Sequence, residues 1–278
     1  WRTAAAGAVG LENACLVAAS APADARRALV EQLRAGTERV IVVGGDGSVH
    51  LAANAILTEG CGGRVDLGII PAGTGSDLAR SLGLARDPRS GLERILNGQA
   101  RHIDVLEMRT DDGRTCFVIN VASAGLSGLV DEMVNAMPQR GALAYLSATL
   151  RALGRYEPAC CRVIVDGQPW FEGRVFLLAV ANGATFGRGM QIAPRAVLDD
   201  GLAEVVVIPA IGTLRLLLRL PQVYRGTHLA NGEVHYCRGR EIRLEPLERL
   251  PPFDLDGETF ASAPAVWSVR CGALRVIG

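Results

Sequence analysis

The hydrophobic pattern of the first hundred residues switches repeatedly between two periods. Residues 22–35, PADARRALVEQLRA, carry apolar positions at helical spacing, and Gly36 is placed to end the helix they predict. Val40–Val43 is a short unbroken apolar run, the mark of a buried strand. Helical spacing returns over Val49–Thr58, and Leu67–Ile70 is a second apolar run. Ser76 or Asp77 can cap a helix over Leu78–Leu82, and Pro88 suits the first turn of another that ends near Gly98. Strand, turn and helix, twice in succession, predict a parallel sheet covered by helices.

Beyond about residue 100 the strand period dominates. Arg101–Arg109 and Thr115–Val121 read as strands joined by a tight Asp111-Asp112-Gly113 turn. Val163–Val165 and Trp170–Ala179 flank Asp166-Gly167-Gln168, a hairpin signal. Ala203–Ile208, Arg240–Leu244, Val266–Val269 and Leu274–Ile277 are further strands, and helical stretches interrupt near 125–153 and 212–224. The expected fold class is α/β plus β. A Rossmann-like, parallel-sheet nucleotide domain over residues 1–106 precedes a mainly antiparallel β-sandwich domain with helical insertions over 107–278.

Composition narrows the function classes. Apolar residues make up 49% of the 278 and charged residues 21%, a globular balance, and a formal net charge of zero gives no reason to expect nucleic acid as a partner. No apolar run reaches the roughly 18 residues of a membrane span, and no signal peptide is visible. Seven cysteines at irregular spacing, without a C-x-x-C, suit a reduced cytoplasmic setting and argue against a zinc site. The chain contains no lysine, so its 29 basic residues are all arginine. That excludes a Walker-type phosphate loop and a pyridoxal Schiff base.

Two glycine-rich turns carry the candidate chemistry. The first strand runs into Gly44-Gly45-Asp46-Gly47-Ser48, the second into Pro71-Ala72-Gly73-Thr74-Gly75-Ser76-Asp77. Glycines allow backbone N–H groups to approach an anion or to take positive φ, and the following helix points its positive end there. An aspartate in such a turn repels a phosphate unless a divalent cation accompanies it. The plainer reading of either turn alone is a tight βα connection with a solvated acid. Both turns lie at the carboxyl ends of strands, where open α/β sheets bind ligands, so together they read as a Mg-nucleotide site.

The stretches VVGGDGSVHLAANAIL and GIIPAGTGSDLARSLGL resemble the diacylglycerol kinase catalytic domain of the bacterial lipid kinases, a family related to sphingosine and ceramide kinases. HIDVLEM, INVASAGL (119–126), IAPRAVLDDGLAEVVVI (192–208) and DLDGE (254–258) extend the resemblance over about residues 20–278. The resemblance implies ATP-dependent phosphorylation of a lipid hydroxyl, diacylglycerol-like or sphingoid, in a cleft between the domains. It implies that Gly44, Gly45, Gly47 and Ser48, with Gly73, Thr74, Gly75 and Ser76, hold ATP phosphates. Asp46, Asp77 and Asp104 would surround Mg²⁺, largely through water, and Glu258 would be the general base. Asp200 and the carbonyl of Leu202 would match a structural metal site of some members, although an Asp-Asp-Gly turn accounts for the same residues. Ser48 and Ser76 stand where the family carries Thr and Asn, and its first strand, with an N-P-x-S-G turn, has no counterpart before Trp1. The start therefore reads as trimmed, or the nucleotide site as incomplete.

Bland readings stand beside these. Glu258 can belong to a simple inter-strand turn, and Asp256 competes for any role given to it. Residues 212–226, GTLRLLLRLPQVYRG, can face the core or lie on an anionic membrane as a basic amphipathic helix, which Pro221 would shorten. The expected location is cytoplasmic, with peripheral contact at the inner membrane face, and a homodimer is compatible. Alternatives are a GGDG-type kinase of a soluble substrate such as NAD, or a non-catalytic nucleotide- or lipid-binding protein.

Overall fold

A computed structural model of the chain describes residues 15–19, 21–73, 75–110, 112–137, 142–260 and 265–277. Helix α1 (Pro22–Arg34) leads to β1 (Arg39–Gly44), α2 (Asp46–Thr58) and β2 (Asp66–Pro71). The two strands pair in parallel, with Val42 beside Ile69. Helix α3 (Asp77–Ser81) is a single turn, and α4 (Pro88–Asn97) follows. The Asp87 side chain accepts the Ser90 N–H at 2.8 Å and starts α4. On one face of the strands, Leu33, Val49 and Ile56 pack against Leu67 and Ile103. On the other, Leu92 and Ile95 of α4 cover Ile70. That two-sided cover is why β2 reads as a continuous apolar run.

The rest of the chain is mainly antiparallel. Strands β3 (Ala100–Thr110), β4 (Thr115–Val118) and β5 (Val121–Gly125) precede a helical hairpin, α5 (Leu126–Asn135) and α6 (Ala142–Arg155). Strands β6 (Ala159–Val165), β7 (Gln168–Ala181) and β8 (Ala203–Pro209) lead to α7 (Thr213–Tyr224). Then come β9 (His235–Gly239), β10 (Glu241–Pro246), β11 (Phe253–Leu255), β12 (Glu258–Phe260) and β13 (Ala265–Ile277). The sheet path runs β1-β2-β13-β10-β6-β7-β5-β11-β12, with β3 and β4 branching from β13 and β8 and β9 from β7. A second core, with Trp267, Phe253, Leu178 and Val205 at its centre, fills the curl of this sheet.

Three local expectations need correcting. The stretch expected as one strand over Thr115–Val121 divides into β4 and β5, because Asp256 grips the backbone where they meet. The two segments expected at Val266–Val269 and Leu274–Ile277 are one strand, irregular between Arg270 and Leu274, with Gly272 at φ +57°. Its end pairs in parallel with β2, so the N-terminal sheet takes in a strand from far along the chain. Pro221 does not shorten α7, which runs on to Tyr224. That helix leaves Leu217 and Leu218 exposed, and Glu233 pairs with both Arg215 and Arg219. Among the described residues, no helix is long and apolar enough to cross a membrane.

Candidate active site

The two glycine turns touch. A Cβ added to Gly73 would stand 2.4 Å from the Gly45 Cα, and one added to Gly44 would collide with Ser48. Gly45 and Gly73 are not at positive φ, so what their missing side chains allow is the close approach of the two backbones and not a left-handed turn. The left-handed residue of the second turn is Ser76, at φ +52°. Ser76 occupies the N-cap position of α3 but does not cap it; its hydroxyl donates back to the Gly73 carbonyl at 3.1 Å. Thr74 lies outside the described residues.

This contact brings two acids together. Asp46 opens α2 and Asp77 opens α3. A Cβ on Gly75 would lie 2.9 Å from the Asp46 Oδ2 and 3.5 Å from the Asp77 Oδ2, so both carboxylates converge on one point. Asp46 also accepts the Leu78 N–H at 3.3 Å. Burial, and then the Asp77 charge, raise the Asp46 carboxyl above its ordinary value. Asp77 is 5% exposed and is held by Arg80 at 2.5 Å and by the Arg188 N–H at 2.7 Å. No side chain caps the N-terminus of α2, which leaves its positive end facing the same space.

A cleft of about 300 Å³ opens here. Gly45, Asp46, Gly75 and Asp77 line one side, while Asp131, Asp254, Asp256 and Gly257 line the other. Asp254 is held well above the ordinary carboxylate value, first by burial and then by the charges of Asp131 and Asp256. Its Oδ1 accepts the Gly257 N–H at 2.7 Å, closing the turn between β11 and β12. Asp256 and Gly257, at φ +54° and +91°, form that turn, and Glu258 follows as the first residue of β12. The Glu258 side chain lies outside the described residues.

Asp256 is not a free competitor for a catalytic role. Its carboxylate accepts the N–H groups of Ile119, Asn120 and Val121 at 2.9–3.0 Å and meets His50 Nδ1 at 3.0 Å. Burial works against a charge on His50, but its hydrogen bonds to Asp256 and Cys116, and their charges, outweigh it. They push the imidazolium up to about 10. The pair fastens α2 to the β11–β12 turn, a link that the spacing of these residues did not announce.

Asp104 does not join the acidic group. It is 2% exposed, and its two oxygens accept the N–H groups of Gly201 and Gly272 at 2.6 and 2.7 Å. Its carboxylate bolts two turns to β3, and it is not among the residues lining the cleft with Asp46 and Asp77. Asp200 is similarly engaged. One oxygen accepts the Leu202 N–H at 3.1 Å, and the other pairs with Arg238, whose Nε lies 2.9 Å from buried Glu204. The Leu202 N–H bond fits the turn reading of these residues, and the Arg238 guanidinium neighbours the Asp200 carboxylate. No group of three acidic, histidine or cysteine side chains among the described residues is arranged to hold a metal directly.

Residues 11–108 match the diacylglycerol kinase catalytic domain family, and residues 120–278 match the YegS C-terminal NAD kinase beta sandwich-like domain. The chain is 31% identical over 258 residues to a diacylglycerol kinase of Mycobacterium tuberculosis H37Rv, covering 91% of this chain and 81% of that one. It is 33% identical to a Pseudomonas aeruginosa PAO1 protein named "Probable lipid kinase YegS-like", covering 91% and 80%. A diacylglycerol kinase crystal structure from Bacillus anthracis superposes with a TM-score of 0.71 at 20% identity, over 94% of this chain and 83% of that one, and shares its fold. With both domains matched and relatives above 30% identity along most of its length, the chain belongs to the diacylglycerol kinase family of lipid kinases.

Proposed function

We propose that the protein transfers the terminal phosphoryl group of ATP to the hydroxyl of a lipid alcohol. The observation that carries this is the contact of the two glycine turns, which aims Asp46 and Asp77 at one point beside an uncapped helix N-terminus. Two convergent carboxylates repel phosphate alone but would suit a divalent cation that accompanies it. Asp46 and Asp77 are the residues that would hold Mg²⁺, since their carboxylates converge on one point and burial, then the Asp77 charge, raises the Asp46 carboxyl. The ion, when bound, neutralises charge on the phosphates. The chain's own part is positional: the backbone at Gly45, Gly47 and Gly75, all lining the cleft, would leave room for phosphate. Glu258, placed by the Asp256–Gly257 turn at the start of β12, is the base that would take the lipid hydroxyl proton.

The test is transfer of label from γ-labelled ATP to diacylglycerol and sphingoid base in mixed micelles, with NAD as the soluble comparison. We expect a labelled lipid, and loss of turnover by about 10²-fold or more in Asp46→Asn and Glu258→Gln, the usual size for such groups. Labelled NAD with no labelled lipid would replace this reading with the soluble-substrate one.

A further inference from the structure

The loop between β7 and β8 brings an arginine to the cleft in an unfavourable backbone state. Gly187, Arg188 and Gly189 follow one another at φ +56°, +70° and +102°. Glycine takes such values freely, whereas arginine pays a steric cost. The surrounding contacts enforce it. Phe186 and Met190 exchange both backbone hydrogen bonds at 2.9–3.0 Å and close the loop. The Thr185 hydroxyl donates to the Asp77 carbonyl at 3.1 Å, and the Asn120 amide donates to the Thr185 carbonyl at 2.8 Å. The Arg188 N–H itself is bound by Asp77. An over-determined left-handed residue inside a cleft points to a use for its side chain.

That side chain crosses the second glycine turn. Its Cγ lies 3.9 Å from the point where a Gly75 Cβ would stand, the same point on which the Asp46 and Asp77 oxygens converge. Arg188 is the one arginine among the described residues lining the cleft, and the chain has no lysine to share its task. A triphosphate entering a space lined by Asp46, Asp77, Asp131, Asp254 and Asp256 needs a cation beyond any metal ion. A guanidinium presents the planar fork that phosphate oxygens accept.

We propose that Arg188 contacts the terminal phosphate of the bound nucleotide and makes the site selective for a triphosphate. This rests on the nucleotide reading above. The test is calorimetric titration of Mg-ATP and of AMP into the wild type, Arg188→Gly and Arg188→Lys, with melting temperatures alongside. Arg188→Gly suits the left-handed backbone, so its melting temperature should hold or rise. It should bind Mg-ATP roughly tenfold to a hundredfold more weakly, the range for a lost charge-assisted contact, with AMP unchanged. Arg188→Lys should recover part of the loss. Equal weakening of ATP and AMP, or unchanged ATP affinity in both variants, overturns this inference and leaves the kinase reading standing. A lowered melting temperature with no selective ATP effect also overturns it, since the side chain would then serve only to offset Asp46 and Asp77. A wild type that binds neither nucleotide overturns both.

Discussion

At the scale of single residues, the acids sort by what their oxygens already hold. Asp104 and Asp256 hold backbone N–H groups of distant turns, Asp77 holds Arg80 and the Arg188 N–H at the lining of the cleft, and the Asp46 Oδ2 faces the same point. Asp256→Asn removes the charge facing His50 and one acceptor from a buried network, a change that costs about 2–4 kcal/mol in comparable settings. Urea unfolding should show that loss, and a variant within about 0.5 kcal/mol of the parent, the usual span of an innocuous surface change, would refute the structural role. The His50–Asp256 pair also has a pH signature. The folded protein favours the imidazolium, so its stabilisation is complete below the ordinary histidine value near 6.5. It fades as pH climbs toward 10. Stability should therefore fall more between pH 7 and 9.5 in the parent than in His50→Gln; parallel curves for the two would count against the pair. Little of this was legible in the sequence. The residue types were visible, but which backbone groups an aspartate would meet depends on turns far along the chain, 97 positions away for Asp104 and Gly201.

At the scale of elements, most helices and strands were legible because their cause is local. The apolar runs of β1 and β2 and the helical spacing of α1 and α2 report burial directly. The misread places share a long-range cause: β4 and β5 part where Asp256 intrudes, and β13 stays one strand because β3 pairs with it on both sides of the irregularity. The glycines of the two turns stood out in the sequence, but the contact between Gly45 and Gly73 did not, because it joins turns almost thirty residues apart. Gly73→Ala should force the turns apart and cost about 1–3 kcal/mol, as overpacking does. It should also weaken Mg-ATP binding. Thermal melts and the same titration check it, and an unaltered protein would mean that the contact is looser than described.

At the scale of the whole molecule, the N-terminal lobe and the β-rich lobe share one strand. β13 pairs with β2 at one end, with β10 at the other and with β3 along most of its length. Trp267 of this strand sits in the second core, while Leu274 and Val276 belong to the first. Fluorescence of the buried Trp267 and far-ultraviolet circular dichroism should therefore report one coincident unfolding transition. Two resolved transitions would show that the lobes unfold apart despite the shared strand. Deleting residues 272–278 should prevent folding of the nucleotide lobe, because β2 would lose its partner along Asp66–Gly68.

The same strand sets an order of events during synthesis. β1 and β2 leave the ribosome long before β13, with which β2 must pair. Until then one edge of β2, apolar and almost wholly buried in the finished protein, offers its hydrogen-bonding groups to any passing strand. The glycine turns hang from the ends of β1 and β2, so the growing chain cannot set them against a completed sheet. Nascent molecules are thus exposed to misassembly at the edge that later supports the site, and chaperone protection matters most while the β-rich lobe is being translated.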